Sequence, residues 1–163
     1  MSRVTLIQHI NIQISNRERT REWYEKVLGA EFLDRGPELN QRQLQLRIGS
    51  AEIHTTHTPN PAPSGHFAVE IPDWDDMIAH LDALGVPYHS RTPGASTRES
   101  GSSYGRREYS GGYSTYIHDP DGNMIELVHH PLGVQDSAGH KVELLHDPGS
   151  LTWTRLPGYG PSV

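Results

Sequence analysis

A duplicated strand pattern is the feature that most constrains the fold of this 163-residue chain. The segments HINIQI (9–14) and HFAVEI (66–71) each begin with histidine and place an apolar residue at alternate positions. A period of two in β-branched and aromatic residues is typical of a strand with one buried face. Two copies in one chain indicate an internal repeat, and therefore a fold built from two similar modules.

A helix is predicted after each of these strands, because apolar residues recur there at helical spacing. In the first copy the helix is expected to follow the cap Asn16 and to stop at Gly29. In the second copy Asp73 and Gly85 have the same roles. The strand and the helix therefore repeat in phase.

Short strands complete each module. The candidates are AEFLDRG, RQLQLRIG and AEIHTTHT in the first half, and VPYHSR, GYSTYIH and NMIELVHH in the second. The last two are joined by DPDGN, a turn sequence. This order predicts an α+β fold of two tandem βαβββ modules, 1–60 and 61–132, with Glu52 and Glu126 as matching acids. Residues 92–112 are predicted to be an inserted loop, and 133–163 a C-terminal arm.

Composition excludes several classes of function. Acidic residues number 20 against 14 basic ones, and with no basic cluster the net charge of −6 argues against a nucleic-acid partner. The absence of cysteine excludes disulfides, thiolate metal sites and a cysteine nucleophile. No apolar run has the length of a signal peptide or a membrane span. We therefore expect a cytoplasmic protein with no membrane partner.

Taken together, these segments resemble the vicinal oxygen chelate superfamily, which includes glyoxalases, extradiol dioxygenases, fosfomycin-resistance transferases and bleomycin-binding proteins. The resemblance runs from about residue 4 to 131. It rests on the two module-initial histidines, on WYEKVLG (23–29) and on YIHDPDGNMIEL (116–127). It implies that both modules form a curled mixed sheet around a central metal or ligand cavity, and that the protein is a homodimer.

The resemblance also implies a metal site. In the superfamily the ligands lie on the first strand of each half and on the last strand of the second half. Carried over residue by residue, these positions are His9, His66 and Glu126. Two imidazoles and one carboxylate form a facial triad that suits Fe(II) or Mn(II), with Zn(II) or Ni(II) as alternatives. A fourth ligand from Glu52 or His54, which share a strand face, is left open.

Further site residues are expected near this metal. Tyr116 is the best candidate to hydrogen-bond a substrate oxygen or donate a proton, with His118 as runner-up and His54 as an acid–base candidate. Ser114 shares the predicted face of Tyr116. The loop 98–112 is interpreted as a lid that binds substrate, with an anion contact at Arg106; its other candidates are Tyr104 and Arg107. Each of these residues has the plain alternative of an ordinary surface side chain.

The function that follows from the resemblance is a metal-dependent enzyme acting on a small organic substrate chelated through vicinal oxygens. A dioxygenase-like reaction is the first choice, because the ligand set is two histidines and one glutamate. The alternatives are a glyoxalase-type lyase or isomerase, a thiol transferase of the antibiotic-resistance type, and a metal-free drug-binding protein. Coordination by Glu52 would favour the lyase, since four protein ligands leave less room for O₂ and a bidentate substrate.

Overall fold

The computed structural model describes residues 7–62, 65–91, 95–98, 101–106 and 112–131. These residues divide into two compact units, with the boundary between residues 62 and 63. The predicted arm 133–163 and the candidate Arg107 lie outside the described residues.

The first unit is a mixed sheet with two helices. In chain order its elements are β1 (His9–Ile14), α1 (Arg17–Leu28), β2 (Glu31–Phe32), α2 (Pro37–Arg42), β3 (Gln45–Ile48) and β4 (Ala51–His57). The strand order is β1-β4-β3-β2, with β1 parallel to β4 and the other neighbours antiparallel.

The second unit repeats this arrangement. Its elements are β5 (His66–Glu70), α3 (Trp74–Leu84), β6 (Ser96–Thr97), β7 (Ser103–Arg106), β8 (Tyr113–His118) and β9 (Met124–His129). The strand order is β5-β9-β8-β7-β6, again with the first strand parallel to the last. The predicted α+β fold of two repeated modules is confirmed, and each module is an open mixed sheet.

The helix boundaries form for the reasons that the sequence indicates. Asn16 accepts a hydrogen bond from the backbone N–H of Arg19 at 2.9 Å, and Asp73 accepts one from Asp76 at 3.0 Å. Such side-chain caps satisfy N–H groups that lack a partner within the helix. Both helices end on a glycine with positive φ, which is 62° at Gly29.

The turn between β8 and β9 is held by one aspartate. Asp119 accepts hydrogen bonds from the backbone N–H of Asp121 at 2.9 Å and of Asn123 at 2.8 Å. Gly122 has a φ of 84°, a conformation that favours glycine. The DPDGN turn therefore fixes the hairpin that carries Tyr116 and Glu126.

The apolar faces of the strands and helices are buried within each unit, as the alternation predicts. In the first unit the core includes Ile12, Ile14, Tyr24, Leu46 and Ile53; in the second it includes Trp74, Ile78, Leu81, Ile117, Ile125 and Leu127. Because side chains alternate along a strand, burial of these residues places the intervening polar ones on the opposite face. The candidate site residues of β4, β8 and β9 lie on that opposite face.

The structure differs from the expectation in three segments. The short helix α2 was not predicted, and VPYHSR forms only an isolated bridge at His89. The predicted loop 92–112 contains β6 and β7, and β7 pairs with β8. Thr115 fixes this pairing by donating its hydroxyl to the carbonyl of Ser103 at 2.7 Å. Part of the predicted lid is therefore a strand of the sheet.

Among the described residues, no helix combines the length and the apolar composition that a membrane span requires.

Candidate functional site

The second unit brings His66 and Glu126 together. The two residues lie on the parallel neighbours β5 and β9, where Glu126 pairs with Ala68, two residues after His66. The His66 Nε2 lies 3.1 Å from the Oε2 of Glu126. Glu126 is buried and His66 is partly exposed. The strand register thus presents an imidazole and a carboxylate at one place on the sheet.

Tyr116 lies beside this pair. It is opposite Glu126 in the antiparallel register of β8 and β9, so both side chains are on the same face. The Tyr116 and His66 rings meet edge to face, with 5.7 Å between their centroids. The structure therefore places the phenol of the predicted catalytic tyrosine next to one predicted ligand.

The other candidates on β8 differ in their accessibility. Ser114 and His118 share the face of Tyr116 because they lie two residues before and after it. Ser114 is buried and pairs with Val128, whereas His118 is exposed beside the turn. His118 is therefore the more accessible of the two to a small molecule.

Tyr104 and Arg106 are on the opposite face from Tyr116. Arg106 pairs with Tyr113, so the side chains of Arg106 and Tyr104 lie on the face of Tyr113. Tyr104 packs against Trp74 and Tyr113, with ring centroids 5.6 and 5.9 Å away. The register of β7 thus turns both candidates away from Tyr116, and Tyr104 belongs to an aromatic cluster with Trp74 of helix α3.

In the first unit, His9 is part of a polar cluster on β1 and β4. The rings of His9 and His54 are stacked, with centroids 4.1 Å apart. The Nδ1 of His9 is hydrogen-bonded to the side-chain oxygen of Gln8. This hydrogen bond engages Nδ1, so Nε2 is the ring nitrogen that would bind a metal.

Glu52 is buried in this cluster and is held by an arginine. Its Oε1 accepts a hydrogen bond from Arg35 at 2.8 Å, and its Oε2 lies 2.8 Å from the Nε2 of His54. Burial alone would raise the pKa of Glu52, but its hydrogen bond with His54 and the charge of Arg35 outweigh burial and lower it. The carboxylate is therefore ionised at neutral pH, with both oxygens engaged.

The strand registers correct the matching of Glu52 with Glu126. His66 pairs with Met124 and Glu126 is two residues further on, while His9 pairs with Glu52 and His54 is two residues further on. His54 is therefore the counterpart of Glu126. Glu52 and His54 lie on the same strand face, so alternation alone could not separate them.

Arg35 is a residue that the sequence analysis did not single out. Besides Glu52, it donates a hydrogen bond to the side chain of Gln45 at 3.1 Å. It follows β2 in the segment DRGPE, where an arginine beside a Gly-Pro pair is typical of an exposed turn. Its contact with a strand 17 positions away in sequence could only be recognised from the fold.

A divalent cation fits the pair in the second unit. Two ligands bound cis to one octahedral ion at about 2.1 Å are about 3 Å apart, which is close to the His66–Glu126 separation. Within each unit taken by itself, the described residues contain no group of three or more His, Asp or Glu side chains that could hold a metal. The predicted triad draws one residue from the first unit and two from the second.

Comparison with known proteins gives the class of protein. The model of the Glyoxalase/Bleomycin resistance protein/Dioxygenase superfamily matches residues 6–127. This match covers most of the chain, so the protein belongs to that superfamily.

One curated relative and several solved structures resemble the chain. The trivalent organoarsenical cleaving enzyme of Bacillus sp. (strain MD1) is 24% identical over 138 residues, covering 81% of this chain and 78% of the relative. The lactoylglutathione lyase of Agrobacterium tumefaciens has a TM-score of 0.59 at 21% identity, covering 80% of this chain and 98% of the other. The fosfomycin resistance protein FosX of Listeria monocytogenes has a TM-score of 0.57 at 18% identity, with coverages of 79% and 96%. The structural likeness shows a shared fold, and the diversity of these names leaves the reaction open.

Proposed function

We propose that this protein is a metal-dependent enzyme in which His9, His66 and Glu126 hold one divalent cation. The substrate is a small organic molecule bound through two vicinal oxygens, and the reaction is dioxygenase-like. The observation that carries the proposal is the 3.1 Å separation of His66 Nε2 and Glu126 Oε2. Fe(II) or Mn(II) is the expected ion, because two histidines and one carboxylate leave coordination positions open.

The residues around the predicted ligands have supporting roles. Gln8 orients His9 and also hydrogen-bonds Glu52, so one amide links a ligand to the arginine-held acid. Tyr116, whose ring lies next to His66, would donate a hydrogen bond to a substrate oxygen. His118 is an exposed imidazole on the same face and is the second acid–base candidate. A bound divalent ion would supply Lewis-acid polarisation of the substrate oxygens.

The engagement of Glu52 favours the dioxygenase-like reaction over the lyase. A fourth ligand from Glu52 would require loss of its contact with Arg35 or His54, each at 2.8 Å. Loss of a hydrogen-bonded charged partner in this partly buried cluster costs on the order of 1–3 kcal/mol. Glu52 is therefore not the expected fourth ligand, which keeps the dioxygenase-like reaction as the first choice, and a fourth ligand from His54, the counterpart of Glu126, stays open.

The activity named for the Bacillus relative is not carried over to this chain. Soft elements such as trivalent arsenic bind best to thiolates, and this chain has no cysteine. Its histidine and carboxylate ligands favour a hard or borderline metal ion, and such an ion binds the oxygen donors of a carbon substrate.

Oxygen consumption tests the proposal. Protein reconstituted anaerobically with Fe(II) is mixed with catechol or 3,4-dihydroxybenzoate, and O₂ uptake is recorded with an electrode. We expect uptake that requires Fe(II) and is lost in His66→Ala. Consumption of the methylglyoxal–glutathione hemithioacetal without O₂ uptake would instead establish the lyase, and failure to bind Fe(II), Mn(II), Zn(II) or Ni(II) would contradict metal dependence altogether. A homodimer, which light scattering can measure, is part of the same proposal.

A further inference from the structure

An arginine outside the predicted site lies beside Tyr116. The Cζ of Arg91 is 5.1 Å from the centroid of the Tyr116 ring, a cation–π contact. A guanidinium nitrogen of Arg91 also lies 3.3 Å from the sulfur of Met124. Met124 and Tyr116 share the sheet face of Glu126. The positive charge of Arg91 is therefore on the face that carries His66 and Glu126.

The backbone before Arg91 is fixed against β8. His89 and Tyr116 exchange two backbone hydrogen bonds, at 2.9 and 3.0 Å. The N–H of Ser90 donates to the hydroxyl of Ser103 at 3.0 Å. Arg91 follows these hydrogen-bonded residues directly, so its backbone is held beside β8.

The contacts of Arg91 leave its charge uncompensated within the described part of the chain. Five other arginines there have a carboxylate oxygen within 3.3 Å: Arg21, Arg35, Arg42, Arg47 and Arg98. No described carboxylate forms an ion pair with Arg91, whose neighbours are a π face and a thioether. Both are weak partners compared with an oxyanion. Arg91 is exposed, so its remaining N–H donors are accessible to a ligand.

The net charge of the protein indicates what a cation at Arg91 can do. With a net charge of −6, the protein as a whole repels anionic molecules, and a local guanidinium can offset that repulsion. Guanidinium presents parallel N–H donors that match the two oxygens of a carboxylate. Arg91 contacts Tyr116 through the face of the ring and Met124 through one nitrogen, so its other N–H donors are available for such a contact.

We propose that Arg91 is a specificity-determining residue that binds a carboxylate group of the substrate. The substrate class is then a small organic acid that carries vicinal oxygens in addition to its carboxylate. This inference rests on the proposed function for the vicinal oxygens, whereas the carboxylate contact depends only on residues of the second unit.

The first test uses metal-free protein and does not depend on turnover. The side-chain Nε–H resonances of arginine are followed by NMR during titration with benzoate, and with phenol as the uncharged probe. We expect benzoate to shift the Arg91 signal along a saturable curve and to leave the signal of Arg42 unchanged. Arg42 is a matched control because it is an exposed arginine already paired with Glu38. An equal response of both signals, or none at Arg91, would overturn the proposal.

The second test measures selectivity in Zn(II)-loaded protein. Dissociation constants are determined by calorimetry for 3,4-dihydroxybenzoate and for catechol, which differ by the carboxylate. We expect Arg91→Gln to weaken dihydroxybenzoate binding about tenfold with little change for catechol, Arg91→Lys to keep part of the preference, and Arg42→Gln to change neither. An unchanged ratio in Arg91→Gln would refute the role of Arg91. If both chelators bind equally well with and without Zn(II), the proposed function fails, while the benzoate response still decides the carboxylate contact.

Discussion

The two parallel strand pairs of this protein have the same register but hold their acids differently. In the first unit, Glu52 is bonded to Arg35 and His54. In the second unit, Glu126 lies against His66. In each unit the first strand begins with a histidine that pairs with a residue of the last strand. Two positions after that residue lies His54 in the first unit and Glu126 in the second.

This difference shows how two copies of one strand arrangement can have different roles. The register supplies two equivalent positions, and the residue at each position decides its chemistry. Both acids lie beside an imidazole, but Arg35 also compensates the charge of Glu52, which suits Glu52 to a structural role and leaves Glu126 as the acid better suited to share a cation with its histidine. We therefore propose metal binding for Glu126 and orientation of the first-unit cluster for Glu52.

The largest expected effect is on metal affinity. Glu126→Gln removes a ligand charge and should raise the dissociation constant for Mn(II) at least about 100-fold, since loss of a residue that merely supports a ligand already costs 10–100-fold. The matched variant Glu52→Gln should raise it about tenfold or less. Calorimetric titration with Mn(II) measures both, and equal losses in the two variants would remove the distinction between the acids.

A stability effect of the opposite pattern is expected in the metal-free protein. Glu52→Gln should lower the free energy of unfolding by about 1–3 kcal/mol at pH 7, because Arg35 and His54 lose a charged partner. Glu126→Gln should change it by less than about 1 kcal/mol. Urea denaturation measures both values, and a larger loss in Glu126→Gln would contradict the structural role of Glu52.

The stability difference at Glu52 should depend on pH. Its pKa is lower in the folded state than in the unfolded chain, so its stabilisation is fully present above the unfolded pKa. The stabilisation is lost as pH falls through the folded pKa. The difference in free energy of unfolding between wild type and Glu52→Gln should therefore decrease on acidification. A difference that stays constant with pH would show that the charge of Glu52 is not its cause.

The smallest effect concerns the arginine-held acid of the second unit. Asp82 accepts a hydrogen bond from the Tyr88 hydroxyl at 3.0 Å and pairs with Arg98 at 3.1 Å. Tyr88→Phe should lower stability by about 1 kcal/mol and leave Mn(II) affinity unchanged. Changed metal affinity would show that this network is coupled to the site after all.

Ultraviolet titration provides a further check on the same tyrosine. Burial and the nearby Asp82 raise the pKa of Tyr88 to about 12 from 10.0. Since the folded pKa is the higher one, this stabilisation is present below pH 10 and is lost as pH rises through about 12. Ionisation of Tyr88 near pH 10 would contradict its burial against Asp82.

Local sequence signals were sufficient to predict the caps and turns that are held by contacts between near neighbours in sequence. The caps Asn16 and Asp73 and the turn at Asp119 depend on neighbours within four residues, so their residue types predict their structure. Helix α2 and strand β7 depend on tertiary partners instead. The segment SYGR has little strand propensity of its own and is held by β8 and by the Thr115 hydroxyl.

The site was predictable in its residue types and less so in its register. Alternation placed His54 and Glu52 on one face, but the choice between them required the pairing of β1 with β4. Arg35 lies in a segment typical of a surface turn and Arg91 at the end of the predicted strand VPYHSR, and neither contact follows a sequence spacing. The sequence therefore favoured Arg106 as the anion contact, whereas the fold brings Arg91 to Tyr116.

The most direct test of the account is the Mn(II) stoichiometry of His9→Ala beside that of His66→Ala. One ion held by His9, His66 and Glu126 predicts that wild type binds one Mn(II) per chain and that either substitution abolishes stoichiometric binding while the circular dichroism spectrum is kept. A full Mn(II) complement in folded His9→Ala would contradict the account, because the ion would then be held without the first unit.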